Sequence, residues 1–263
     1  MHLKTALVLA AALGLLGTTT ALQVASAADL GVRQRPYTPP PPPPPPVLNW
    51  SGFYIGGFVG GAAESQNVTS TDLNGYNGTP PFSYGLHGSV TGGGTIGYNW
   101  QFPGSPFLVG LEGEVGYLRM TGSSPDPLSA GLDTVSSARI GDWYAVATGR
   151  LGWLFTPDWL LYVKGGAAWT ELHASVVDSC TVFPCGPDTV NANGSKTPTG
   201  WTAGGGFEWM FLPQWSVKAE YLFLGINDNV QSCGPDGLGV GTFCFNHKFD
   251  GVHTAKLGVN YHF

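Results

Sequence analysis

Glu112 and Glu114 stand two residues apart in Leu111-Glu112-Gly113-Glu114-Val115. In an extended chain that spacing projects both carboxylates from one face, an arrangement suited to general acid/base work. Two further acids, Glu208 and Glu220, and four bases, Arg150, Lys164, Lys218 and Lys256, recur at positions that pairing could bring together. The four cysteines, Cys180, Cys185, Cys233 and Cys244, lack the CxxC spacing of a zinc site and read as disulfides of an exported chain. Three pairings are open to them, of which the local bonds Cys180–Cys185 and Cys233–Cys244 are simplest. No Walker loop, dinucleotide fingerprint or zinc-protease motif is present. The residues therefore imply no catalytic set, no metal site and no cofactor.

The elements that must position these groups show in the alternation of side chains. At the C-terminus Ala255, Leu257, Val259, Tyr261 and Phe263 share one side of a strand, and Thr254, Lys256, Gly258, Asn260 and His262 share the other. The same dyad returns along the chain with aromatics near the strand ends, the pattern of a transmembrane β-barrel. Composition agrees. Gly numbers 40 of 263, aromatics make 13% and charged residues 11%, against about 25% charged in an ordinary soluble domain. Mean hydropathy of +0.05 fits apolar outward residues averaged with polar inward ones. A net charge of −6 gives no basic footprint and argues against nucleic acid as a partner.

Residues 1–27 read as a secretory signal peptide: Lys4, an apolar stretch from Ala6 to Leu16, and a small-x-small site at Ala25-Ser26-Ala27. Residues 28–49 form a Pro-rich linker with an unbroken run from Pro39 to Pro46. That run would extend roughly 25 Å as polyproline II and cannot join a central sheet. It suits a stiff periplasmic spacer, or a contact with peptidoglycan or a periplasmic partner.

Residues 50–263 contain eight candidate strands: Trp50–Gly61, Gly88–Phe102, Phe107–Met120, Asp142–Phe155, Trp159–Ala174, Gly200–Phe211, Gln214–Leu224 and Phe249–Phe263. Each covers the roughly 9–11 residues a tilted strand needs to cross a bilayer. The connections alternate strictly. Pro103–Pro106, Thr156–Asp158 and Leu212-Pro213 are short, whereas 62–87, 121–141, 175–199 and 225–248 are long. Short periplasmic turns and long extracellular loops have this order, with both chain ends in the periplasm. The fold class is thus all-β: an eight-stranded antiparallel up-and-down transmembrane barrel.

Strand parity turns Glu112, Glu114, Arg150, Lys164, Glu208, Lys218, Glu220 and Lys256 into the lumen. An eight-stranded barrel is just wide enough for side chains to fill, and isolated charges there are costly, so pairing across the lumen is expected. A structural plug is favoured over a gated ion path. Inward Gly56, Gly97, Gly110, Gly116, Gly152, Gly166, Gly204 and Gly258 are expected to add local space. Trp100, Trp153, Trp159, Trp209 and Trp215 near the short turns, and Tyr117, Trp143, Trp169 and Trp201 toward the loops, make two interfacial girdles.

Three segments carry a family resemblance: Asn49-Trp50-Ser51-Gly52-Phe53-Tyr54-Ile55-Gly56-Gly57, Gly92-Gly93-Gly94-Thr95-Ile96-Gly97-Tyr98-Asn99-Trp100 and Gly258-Val259-Asn260-Tyr261-His262-Phe263. Over residues 49–263 the chain resembles the small outer-membrane porin-like (outer-membrane immunogenic protein) family of Gram-negative bacteria, related in architecture to OmpA/OmpX-type barrels. The resemblance implies a signal for the barrel-assembly machinery in Tyr261 and Phe263. It also implies outer-membrane lipids and lipopolysaccharide as surroundings. His173-Ala174-Ser175 is similar to the His-x-Ser element of lipid A deacylase barrels, but the wider pattern of those enzymes is absent. The function expected is a structural and surface role in the envelope with at most small-solute conductance. A diffusion porin is the alternative, followed by a surface ligand-binding or adhesion protein.

Overall fold

A computed structural model describes residues 48–263 except 77, 130–132, 180–188, 236, 238 and 240. The signal segment, most of the Pro-rich linker and the cysteines at 180 and 185 lie outside the described residues. Thirteen strands follow in chain order: β1 (Gly52–Glu64), β2 (Val68–Asp72), β3 (Phe82–Tyr84), β4 (Ser89–Gln101), β5 (Phe107–Pro125), β6 (Thr134–Thr156), β7 (Trp159–Asp178), β8 (Asn191–Lys196), β9 (Thr199–Leu212), β10 (Trp215–Gly225), β11 (Asp228–Pro235), β12 (Thr242–Phe249) and β13 (Val252–His262).

These thirteen are eight long strands, five of them broken once. β8 and β9 both lie antiparallel to β7, with Lys196 opposite Leu172 and Thr199 opposite Trp169. They form one line interrupted at Thr197-Pro198, where proline has no N–H to give the ladder. The pairs β1/β2, β3/β4, β10/β11 and β12/β13 are also interrupted, without proline, at residues 65–67, 85–88, 226–227 and 250–251. The breaks share one level, which divides the molecule at a waist. β6 crosses it with a register shift between Ile140 and Tyr144. Gly141 lies there at φ 91°, and a Cβ on it would stand 1.6 Å from the Leu118 carbonyl oxygen.

Below the waist the strands close in the order β1–β4–β5–β6–β7–β9–β10–β13 and back to β1, the eight-stranded antiparallel barrel. Above it the order is β3–β2–β12–β11–β8–β7–β6–β5. The last edge is bridged by His87, whose backbone N–H and ring Nδ1 reach the Thr121 carbonyl at 2.9 and 3.0 Å. The long connections are thus largely a second storey of sheet rather than loops, a correction to the predicted spans 62–87, 121–141, 175–199 and 225–248. The predicted final strand Phe249–Phe263 is likewise divided, Phe249 ending β12 and Val252 opening β13.

The outer surface changes chemistry at the waist. Below it Phe53, Ile55, Val59, Leu111, Val115, Leu151 and Val163 are exposed, as lipid contact requires. Above it the outward positions include polar Thr69, Thr121, Ser123, Ser137, Ser175, Asn193, Gln231 and Asn246, beside exposed Val177. The interior is layered, as the inward residues of β5 show: Leu108, then Glu112 and Glu114, then Leu118 and Met120, all buried. Trp50, predicted to open the first strand, instead precedes β1 and is 1% exposed. Its Nε1–H donates to the Pro157 carbonyl at 3.0 Å, which places the indole across the short-turn mouth.

Candidate functional site in the barrel interior

Each inward charge is placed by the period of its strand: Glu112 and Glu114 on β5, Arg150 on β6, Lys164 on β7, Glu208 on β9, Lys218 and Glu220 on β10, and Lys256 on β13. All eight are at most 4% exposed. They fall into two groups.

Toward the short turns Arg150 pairs with Glu208. The guanidinium lies 3.7 Å from the centroid of the Tyr162 ring, and Glu208 Oε1 accepts from Ser216 Oγ at 2.6 Å and Asn260 Nδ2 at 2.7 Å. Nearer the waist three lysines interlock with three glutamates. Lys164 Nζ stands 2.6 Å from Glu112, 2.8 Å from Glu220 and 3.6 Å from Glu114. Lys218 reaches Glu112 at 3.2 Å, and Lys256 reaches Glu114 at 2.5 Å and Glu220 at 3.0 Å.

Three tyrosines complete this second group. Tyr54, Tyr144 and Tyr162 donate their hydroxyls to Glu112, Glu114 and Glu220 at 2.7, 2.6 and 2.9 Å. Sequence reasoning missed them because aromatics were assigned to the girdles. The signal was present: each stands at an inward position, with a glycine opposite it in register, Gly97, Gly116 and Gly206. A Cβ on Gly97 would stand 2.4 Å from the Tyr54 ring, and one on Gly116 would stand 2.7 Å from that of Tyr144. The inward glycines therefore do not widen the lumen as expected. Neighbouring side chains occupy the space, at Gly152 those of Leu108 and Leu160.

Carboxylate oxygens of Glu112, Glu114 and Glu220 come within 4.8 Å of one another, close enough to share a cation. The three lysine ammonium groups already supply that charge, so the donor set does not fit a resident metal. The same contacts remove Glu112 and Glu114 from acid/base work, since each is buried, ion-paired and capped by a tyrosine. His173 and Ser175 lie on the outer wall of the upper storey, with His173 Nε2 2.9 Å from Glu171. Cys233 is bonded to Cys244 across β11 and β12, tying two upper-storey strands. Phe263 is exposed, and its N–H donates to the Phe53 carbonyl at 3.0 Å beside the β1–β13 closure. Tyr261 packs edge-on against both Trp215 and Phe263.

The girdles close the description. Trp100, Trp153, Trp159, Trp209 and Trp215 are exposed near the short turns, and Tyr117, Trp143 and Trp201 near the waist. A closed up-and-down barrel of eight strands with an apolar belt between two aromatic rings is an integral outer-membrane barrel. The chain belongs to the outer membrane protein beta-barrel domain family, whose model matches residues 41–263. It is 27% identical over 223 residues to the 31 kDa outer-membrane immunogenic protein of Brucella melitensis, covering 82% of this chain and 85% of that one. An uncharacterised protein of Coxiella burnetii is 26% identical, with 80% and 83% covered. Among solved structures, the outer membrane protein OprG from Pseudomonas aeruginosa aligns at a TM-score of 0.48 and 9% identity, covering 82% of this chain and 99% of that one. The family places the protein in the Gram-negative outer membrane.

Proposed function

We propose that the protein is a non-conducting structural barrel that presents its upper storey at the cell surface, with the short turns and both termini in the periplasm. The observation that carries this reading is the filled interior. Trp50 lies across one mouth, eight paired charges follow, and Leu118, Met120, Ile140, Leu222 and Leu224 pack above them, all buried. A hydrated ion would have to displace paired charges and then cross an apolar layer.

The belt and girdles fit the barrel to outer-membrane lipids and lipopolysaccharide. Tyr261 near the end of β13 and Phe263 directly after it stand where the barrel-assembly machinery reads its signal. The Pro-rich segment 28–49 serves as a spacer on the periplasmic side, within reach of peptidoglycan. The experiment is planar-bilayer recording of the purified barrel at neutral pH. No stable openings are expected; large, long-lived openings in the wild type would establish the diffusion-porin reading instead.

A further inference from the structure

We propose that the outer wall just above the waist is a binding site for the phosphorylated sugar headgroup of an outer-leaflet glycolipid. The assignment to that leaflet rests on the orientation proposed above. A cleft of about 670 Å³ runs across β5, β6, β7 and β8 at this level, on a face that points away from the interior.

Two transverse rows of side chains make its floor. In the row nearer the membrane Thr121 stands opposite Arg139, Arg139 opposite His173, and His173 opposite Ser195. In the next row Ser123, Ser137, Ser175 and Asn193 follow one another in the same register. Three strand gaps make each row about 14 Å long. Hydroxyls and a carboxamide both donate and accept, which matches the mixed hydrogen bonding of a sugar ring. The short side chains leave the floor open to a flat ligand.

The charge selects the kind of sugar. Arg139, His87 and His173 line the cleft, and its described lining contains no carboxylate, in a chain with 17 acids against 11 bases. The nearest acids stand outside it. Asp142 takes Arg139 at 3.0 Å and Arg119 at 3.5 Å, so two guanidinium groups share one carboxylate. Glu171 takes His173. The described lining thus carries one formal positive charge, on Arg139, and a guanidinium is suited to a phosphate.

The height selects the lipid. Thr121, Arg139 and His173 each lie four residues from a girdle aromatic, Tyr117, Trp143 and Trp169. At about 3.3 Å per residue on a tilted strand this puts the row roughly 10 Å beyond the ring. Phosphates and first sugars of a glycolipid whose acyl chains lie along the belt stand at that level.

The test uses the full chain in detergent micelles doped with diphosphoryl lipid A or, as the anionic control, phosphatidylglycerol, with retained lipid counted by native mass spectrometry. Wild type should retain lipid A over phosphatidylglycerol. Arg139→Ser and the cleft-filling Ser137→Tyr should each lower that retention about tenfold, with unchanged heat-modifiable migration showing that both fold. Equal retention by wild type and variants, or no preference for lipid A, overturns the proposal. Arg139-dependent binding of a soluble glucosamine phosphate as tight as that of lipid A overturns the lipid assignment. Orientation is read separately, by labelling Lys196 and Lys248 on intact cells with an impermeant amine reagent; failure there defeats the orientation, not the micelle result.

Discussion

The ring of Tyr144 lies 2.7 Å from where a Cβ on Gly116 would stand, and the same tyrosine donates to Glu114 at 2.6 Å. Packing and charge are therefore joined in one residue pair: the glycine admits the ring, and the ring delivers the hydroxyl to the carboxylate. Gly116→Val should destabilise the barrel by about 1–3 kcal/mol through overpacking. Tyr144→Phe removes only the hydrogen bond to a charged group, worth about 1.5–3 kcal/mol. Urea unfolding in micelles measures both. A double variant no worse than Gly116→Val alone would show that the two act through one contact.

Lys164 contacts three carboxylates and Lys218 chiefly one, at 3.2 Å. Breaking a buried ion pair costs about 3–5 kcal/mol. Lys164→Met should therefore lose more stability than Lys218→Met, and either should admit an ionic leak that wild type lacks. Ala219→Leu, on the lipid side, should be tolerated. Equal stability and conductance for Lys218→Met and wild type would count against the paired interior.

Acid should loosen the upper storey before the membrane barrel. His247 is buried between Tyr84, whose hydroxyl is 3.3 Å from Nδ1, and Ser232, whose hydroxyl is 3.2 Å from Nε2. Burial lowers its pKa from the usual 6.5 to about 4. The unfolded chain then binds the proton more readily, so the stability is complete above pH 6.5 and is lost as pH falls through 4. Linkage makes the full loss about 3 kcal/mol. Amide protection factors in β2, β11 and β12, taken relative to the intrinsic exchange rate at each pH, should fall at pH 4.5 relative to pH 7, and His247→Gln should flatten that dependence.

Phe263→Asp should leave periplasmic, protease-sensitive protein, because the residue beside the β1–β13 closure would no longer present an aromatic to the assembly machinery. Fractionation and immunoblotting check this, and normal outer-membrane levels would refute the role.

Alternation by itself determined the eight membrane strands and the inward side of Glu112, Arg150, Lys164 and the other charges. Side-chain direction on a strand is local, with period two, and needs no knowledge of distant chain. The terminal dyad from Ala255 to Phe263 and the short turns were legible for the same reason. Above the waist both the outer wall and much of the interior are polar, as Ser70, Ser136 and Ser232 show. The alternation fades there, and real strands read as loops. Pairing was beyond local pattern altogether. Glu112 meets Lys218 across 106 residues only because closure of β1 on β13 sets β5 facing β10 over the lumen. The same closure decided that Tyr54, Tyr144 and Tyr162 would fill the room left by glycines, since a glycine's neighbour across the sheet is fixed by register and not by its place in the chain.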